Sequence, residues 1–274
     1  ARRGEAPVAK RMGGYGGRIL RVDLTSRRFA IEPLDPRWIK DVVGGRAANT
    51  KRLAEDLDPA SDPMGPGNVL IFGVGPLTGT LLPASAYYTV TARSPLTGIL
   101  GDSAAGGHFG PEMKLTGFDQ IVITGCADSL MYLLVTGDGV TFVPCPELAG
   151  RNVVETTASI REVHHDWDIQ VAAIGIAGEN RVRFAALVSS GNRVNGRAGM
   201  GAVMGSKNLK AVAVRGRGRY ADIAADPGTE VTAGRRLDHE IEAGKKIPPR
   251  GHDRLGRQLE RPCEGDHQWQ SDRQ

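Results

Sequence analysis

The chain has 274 residues, room for one large domain or two ordinary ones, and its 40% hydrophobic content suffices to build a core. A net charge of +4 without a lysine or arginine block argues against a dedicated nucleic-acid surface, and no apolar run reaches the length of a membrane span. Three scattered cysteines, Cys126, Cys145 and Cys263, form neither a disulfide framework nor a C-x-x-C metal site, so a reducing cytoplasm is the expected setting.

Residues 1–11 carry no hydrophobic period and are expected to be a disordered lead before Met12. Alternation over 18–24 and 28–32, around Thr25-Ser26-Arg27, predicts a hairpin. Asp35 followed by Pro36 predicts a helix start, with the apolar stripe running past Gly44-Gly45 to Leu53. A buried strand is expected over 68–74, with further strands over 87–92 and 120–124.

The order then repeats. A hairpin over 131–135 and 140–143 turns at Gly137-Asp138-Gly139, a helix over 152–164 opens with the Asn152/Glu155 capping box, and a strand covers 169–174. The strand ends VGPLTG and IGIAGEN lie about a hundred residues apart, as an internal duplication would place them. Strands over 181–188 and 209–214 complete an α+β pattern of duplicated β-rich units, each with a helix, forming two mixed sheets. The expected domain covers 12–215, and 216–274 is expected to be a loosely structured tail.

Glycine is abundant, 37 residues, and concentrates in GPLTG (75–79), SPLTGILGDSAAGGHFG (94–110) and GNRVNGRAGMGAVMGSKNLKAV (191–212). Loops of this kind expose backbone N–H groups that can cradle phosphates. The third stretch fails as a dinucleotide fingerprint because Gly205 falls one residue late, and as a P-loop because Ser206 precedes Lys207. The adjacent His164 and His165 cannot share a metal, and His108 reads as a structural loop residue, with a hydrogen bond to a ligand held by the loop as the alternative.

Taken in order, SPLTG, AGGHFG, AGEN (177–180) and GRAGMGAVMGSKNLKA resemble the aldehyde ferredoxin oxidoreductase family, as do the opening GGYGGRILRVDLT and VGGRAANTKRL. The resemblance covers about 12–215 and implies an amino-terminal domain that carries tungsten, or molybdenum, on two pterins. It implies cofactor contacts at Ala104, Ala105 and Gly106 and at Arg193, Val194, Gly196 and Arg197, with magnesium on the backbone carbonyls of Ala104 and Val194. One departure is Tyr87, which stands where related sequences carry an arginine.

For the complete enzyme the resemblance implies oxidation of an aldehyde to a carboxylic acid with ferredoxin as electron acceptor. Its [4Fe–4S] cluster and acid/base groups belong to later domains, which a separate chain could supply, and a homodimer is compatible with the family. The chain alone is expected to be inactive, having too few cysteines for the cluster. The alternatives are a non-catalytic pterin-binding or assembly module, a decayed gene fragment, and, more remotely, a nucleotide-binding domain.

Overall fold

The computed structural model describes residues 13–80 and 82–218. The lead expected over 1–11, and all of the expected tail beyond Gly218, lie outside these residues. Two six-stranded mixed sheets carry the fold.

The first half runs β1 (Arg18–Asp23), β2 (Arg28–Pro33), α1 (Pro36–Val42), α2 (Gly45–Asp56), β3 (Leu70–Val74), β4 (Tyr88–Arg93), β5 (Leu100–Ala105), α3 (Phe109–Leu115) and β6 (Phe118–Thr124). Its sheet order is β2-β1-β6-β3-β4-β5. The second half runs β7 (Met131–Thr136), β8 (Gly139–Pro144), α4 (Val153–His164), β9 (Gln170–Ala173), α5 (Ile176–Glu179), β10 (Leu187–Ser189), β11 (Arg193–Asn195), α6 (Met200–Ser206) and β12 (Leu209–Arg215). Read from its hairpin, the second sheet has the order β8-β7-β12-β9-β10-β11, so each strand has a counterpart in the first. The pairing directions agree as well: β6 is parallel to β1 and antiparallel to β3, and β12 is parallel to β7 and antiparallel to β9.

The duplication extends to an irregularity. One residue is skipped where β6 meets β1, Asp119, and one where β12 meets β7, Lys210. Both are buried ions. Asp119 pairs with Lys114 at 2.6 Å and accepts the amides of Gly16 and Gly17 at 3.1 and 2.7 Å. Lys210 pairs with Glu179 and donates to the Arg151 carbonyl at 2.8 Å.

The two sheets share one apolar core, with Leu20, Phe72 and Val90 of the first against Leu133, Ala172 and Val212 of the second. Alternation along each strand sends these side chains inward. Among the described residues no helix is long and apolar enough to cross a membrane.

Several expected elements differ. The helix expected to run past Gly44-Gly45 to Leu53 is two helices. The chain turns through Val43 (φ 51°) and Gly44 (φ 152°), where a Cβ on Gly44 would meet Gly75 Cα at 3.2 Å. The strand expected over 181–188 shrinks to β10, because Arg181 (φ 55°) closes α5 by donating its amide to Gly178 O at 2.9 Å. The glycine-rich stretches hold regular elements as well as turns: β5 and the start of α3 in one, β11 and α6 in the other. Asp35 and the Asn152/Glu155 capping box do cap their helices as expected. His164 bonds Tyr132 Oη at 2.7 Å, and His165, left-handed at φ 50°, caps α4.

Candidate functional site

β5 and β11 are the outermost strands of their sheets, on corresponding edges, and they lie against one another. Small side chains make the approach possible: a Cβ on Gly101 would stand 2.6 Å from Ala198 Cβ, and one on Gly107 would stand 2.8 Å from Arg193 Cγ. The two glycine-rich loops singled out in the sequence are therefore equivalent parts of the two halves, brought together where the sheet edges meet.

A buried polar network fastens this junction. Tyr88 Oη contacts Ser189 Oγ at 2.9 Å and Asn195 Oδ1 at 2.6 Å; Asn195 Nδ2 donates to Ser103 O at 2.7 Å, and Arg197 N donates to Ser103 Oγ at 3.1 Å. Burial pushes the Tyr88 phenol far above its ordinary value, so it stays protonated and remains a donor. The 191–199 segment enters through Ser190 (φ 48°) and leaves through Ala198 (φ 60°), left-handed conformations that cost a non-glycine residue roughly 1–3 kcal/mol each. Ser190 Oγ accepts from His108 N at 3.0 Å, and Ala198 O accepts from Ser94 Oγ at 2.9 Å. His108 is thus bound through its backbone at the start of α3, while its side chain is exposed.

Above the network opens a cleft of about 610 Å³ lined by Arg46, Thr89, Asp102, Ser103, Ala104, Val194, Gly196 and Arg197. Four of the seven site residues expected from sequence, Ala104, Val194, Gly196 and Arg197, thus share one cavity. Of the others, Ala105 is buried in the core beneath, Gly106 lies beside the Tyr87 ring, and Arg193 is exposed where the loops cross at Gly107. Tyr87 itself is 56% exposed. The cleft offers backbone with little side-chain cover: a Cβ on Gly196 would meet only Val194 within 4 Å. Guanidinium groups and bare backbone donors form a set that suits phosphate.

Sequence reasoning missed Arg46 and Asp102, which form an ion pair at 2.9 Å on this cleft. The available signal for Arg46 was its place in VGGRAANTKRL, one of the segments that resemble the family. Lys207, by contrast, is no phosphate ligand. It is buried, donates to Pro66 O at 3.3 Å and Gly125 O at 3.0 Å, and its burial lowers the ammonium to about 8.

The profile of the aldehyde ferredoxin oxidoreductase N-terminal domain matches residues 19–216, both sheets almost in full. The chain belongs to the aldehyde ferredoxin oxidoreductase family.

The chain is 43% identical over 240 residues to the tungsten-containing aldehyde ferredoxin oxidoreductase of Pyrococcus abyssi, covering 88% of this chain and 39% of that protein. It is 34% identical to the aliphatic sulfonate oxidoreductase WOR-like subunit of Pyrococcus furiosus, covering 77% of this chain and 36% of that one. Among solved structures, a chain of the BamBC active-site complex of benzoyl coenzyme A reductase, bound to 1,5-dienoyl-CoA, superposes with a TM-score of 0.81 at 34% identity, over 86% of this chain and 36% of its own length. The chain thus spans less than two fifths of these relatives and corresponds to the family's amino-terminal domain. The compounds named for them differ, an aldehyde, a sulfonate and a coenzyme A thioester, while this domain is common to all three.

Proposed function

We propose that the cleft between β5 and β11 is the phosphate cradle of a tungsten bis-pterin cofactor, and that this domain anchors that cofactor in an oxidoreductase converting aldehydes to carboxylic acids. The observation that carries the reading is the convergence of two equivalent loops, one from each half, on one cleft that holds Arg197 and the unobstructed backbone of Gly196. A cofactor with two similar anionic arms suits a cradle with two similar halves.

In this reading the 104–106 and 193–197 segments hold the phosphates, through backbone donors and the Arg193 and Arg197 guanidiniums. The carbonyl oxygens of Ala104 and Val194 are hard ligands of the kind magnesium takes, and the phosphates would complete its shell. Tyr88, Asn195 and Ser103 keep the second loop seated against the first. When bound, the tungstopterin supplies the two-electron redox chemistry. The [4Fe–4S] cluster and the ferredoxin contact fall to the remainder of the family protein, since a cluster needs four converging thiolates and this chain has three cysteines far apart in sequence.

The test is tungsten and pterin content per chain after expression in a host that makes tungstopterin. Arg197→Ala and Arg193→Ala should each lower cofactor affinity by about one to two decades, the worth of a charge-assisted hydrogen bond. Equal pterin and metal per folded chain in wild type and both variants would refute the cradle.

A further inference from the structure

The cleft holds a cation, Arg46, to which the sequence motifs assign no role. We propose that Arg46, pinned by Asp102, is a further guanidinium of the phosphate site and supplies on this side the positive charge that Tyr87 does not. The inference rests on the cradle reading and adds to it a residue from a third segment of the chain.

Position comes first. Arg46 and Arg197, contributed by α2 and by the turn after β11, line the same cavity together with Ser103 and Gly196. Among the described residues Asp102 is the only carboxylate on that lining, so there the two arginines leave an excess of positive charge.

Helix energetics point the same way. Partial positive charge gathers at a helix N-terminus, and a cation in the first turn works against it. α2 begins without a side-chain cap and without an acidic residue in its first turn, and it carries Arg46 there. Nothing in the stability of α2 favours that residue. Its side chain is 70% exposed and reaches Asp102 through one terminal nitrogen. A guanidinium has five N–H donors, so such a pair orients the fork and leaves capacity for a second anion.

Tyr87 lies at the neighbouring end of the first loop, its ring 3.9 Å from where a Gly106 Cβ would stand. A phenol donates one hydrogen bond and neutralises no charge. Arg46 provides both charge and donors on the cleft lining itself.

The test is a titration of the full chain with inorganic pyrophosphate in magnesium buffer at low ionic strength, followed by phosphorus NMR, for wild type, Arg46→Gln, Arg46→Lys, Arg197→Gln and the surface control Arg37→Gln. Arg46→Gln and Arg197→Gln should each weaken binding about tenfold, less than a buried contact because solvent screens them. Arg46→Lys should fall in between, and Arg37→Gln should match wild type. Loss at Arg197 with none at Arg46 overturns this inference and leaves the cradle standing. Loss at Arg46 alone keeps this residue's part and refutes that of the 193–197 loop. No saturable binding, or equal binding by every variant, overturns both.

Discussion

The helices α2 and α4 occupy corresponding places in the two halves and begin in opposite ways. α4 has a complete capping box, with Asn152 Oδ1 accepting from Glu155 N at 2.9 Å and Glu155 returning the bond at 3.0 Å. α2 starts at Gly44 with no cap and presents Arg46 to the cleft. The capped helix has its first-turn amides satisfied from within, whereas the uncapped one carries a cation in its first turn where it borders the cleft. The repeated architecture thus carries unlike helix starts at equivalent places.

The buried ions at the skipped strand positions sharpen this comparison most. Asp119→Ala strands the buried Lys114 ammonium and two glycine amides, and should cost about 3–5 kcal/mol. Lys210→Met leaves Glu179 partly solvated and still bonded to Gly150 N, so about 2 kcal/mol is expected. Chemical denaturation of both variants measures the difference, and equal losses would mean that the two bulges are energetically interchangeable. At the junction of the halves, Tyr88→Phe removes one hydroxyl from a packed network and should cost about 1–2 kcal/mol in the same assay. A neutral result would show that the sheet edges are held by packing alone.

The smallest effect tests the helices directly. Asn152→Ala should cost about 1 kcal/mol, whereas Arg46→Gln should leave thermal stability within about half of that. If Arg46→Gln destabilises as much as Asn152→Ala, Arg46 serves the fold and the contrast between the helices collapses.

How far the sequence alone reached follows the same physics. Hairpins, the Asp35-Pro36 start, the α4 capping box and the duplicated order were readable because each is written in neighbouring residues. α6, MGAVMGS, was not: it is buried all round, so it lacks the one-sided apolar stripe by which a surface helix is recognised. α3 and β5 were hidden in the same way by glycine. Four expected cleft residues came together because they belong to two recognisable loops. Arg46 and Asp102 were missed because their meeting is tertiary, across the space between α2 and a sheet edge.

The unlike charges at the two skipped positions bear also on how a duplicated chain finds its partners. β6 and β12 hold equivalent places in sheets of the same strand order, so an exchange of the two during folding would give compact but wrong sheets. Asp119 is satisfied only beside Lys114 and the glycine amides ahead of β1, and Lys210 only beside Glu179 and the Arg151 carbonyl. Trading the strands would carry an anion into the pocket built for a cation and the reverse: Asp119, which keeps only its sequence neighbour Lys114, would lose the glycine amides, and Lys210 would lose Glu179 and the Arg151 carbonyl. Each half thus bears a lock that the other half's key does not turn.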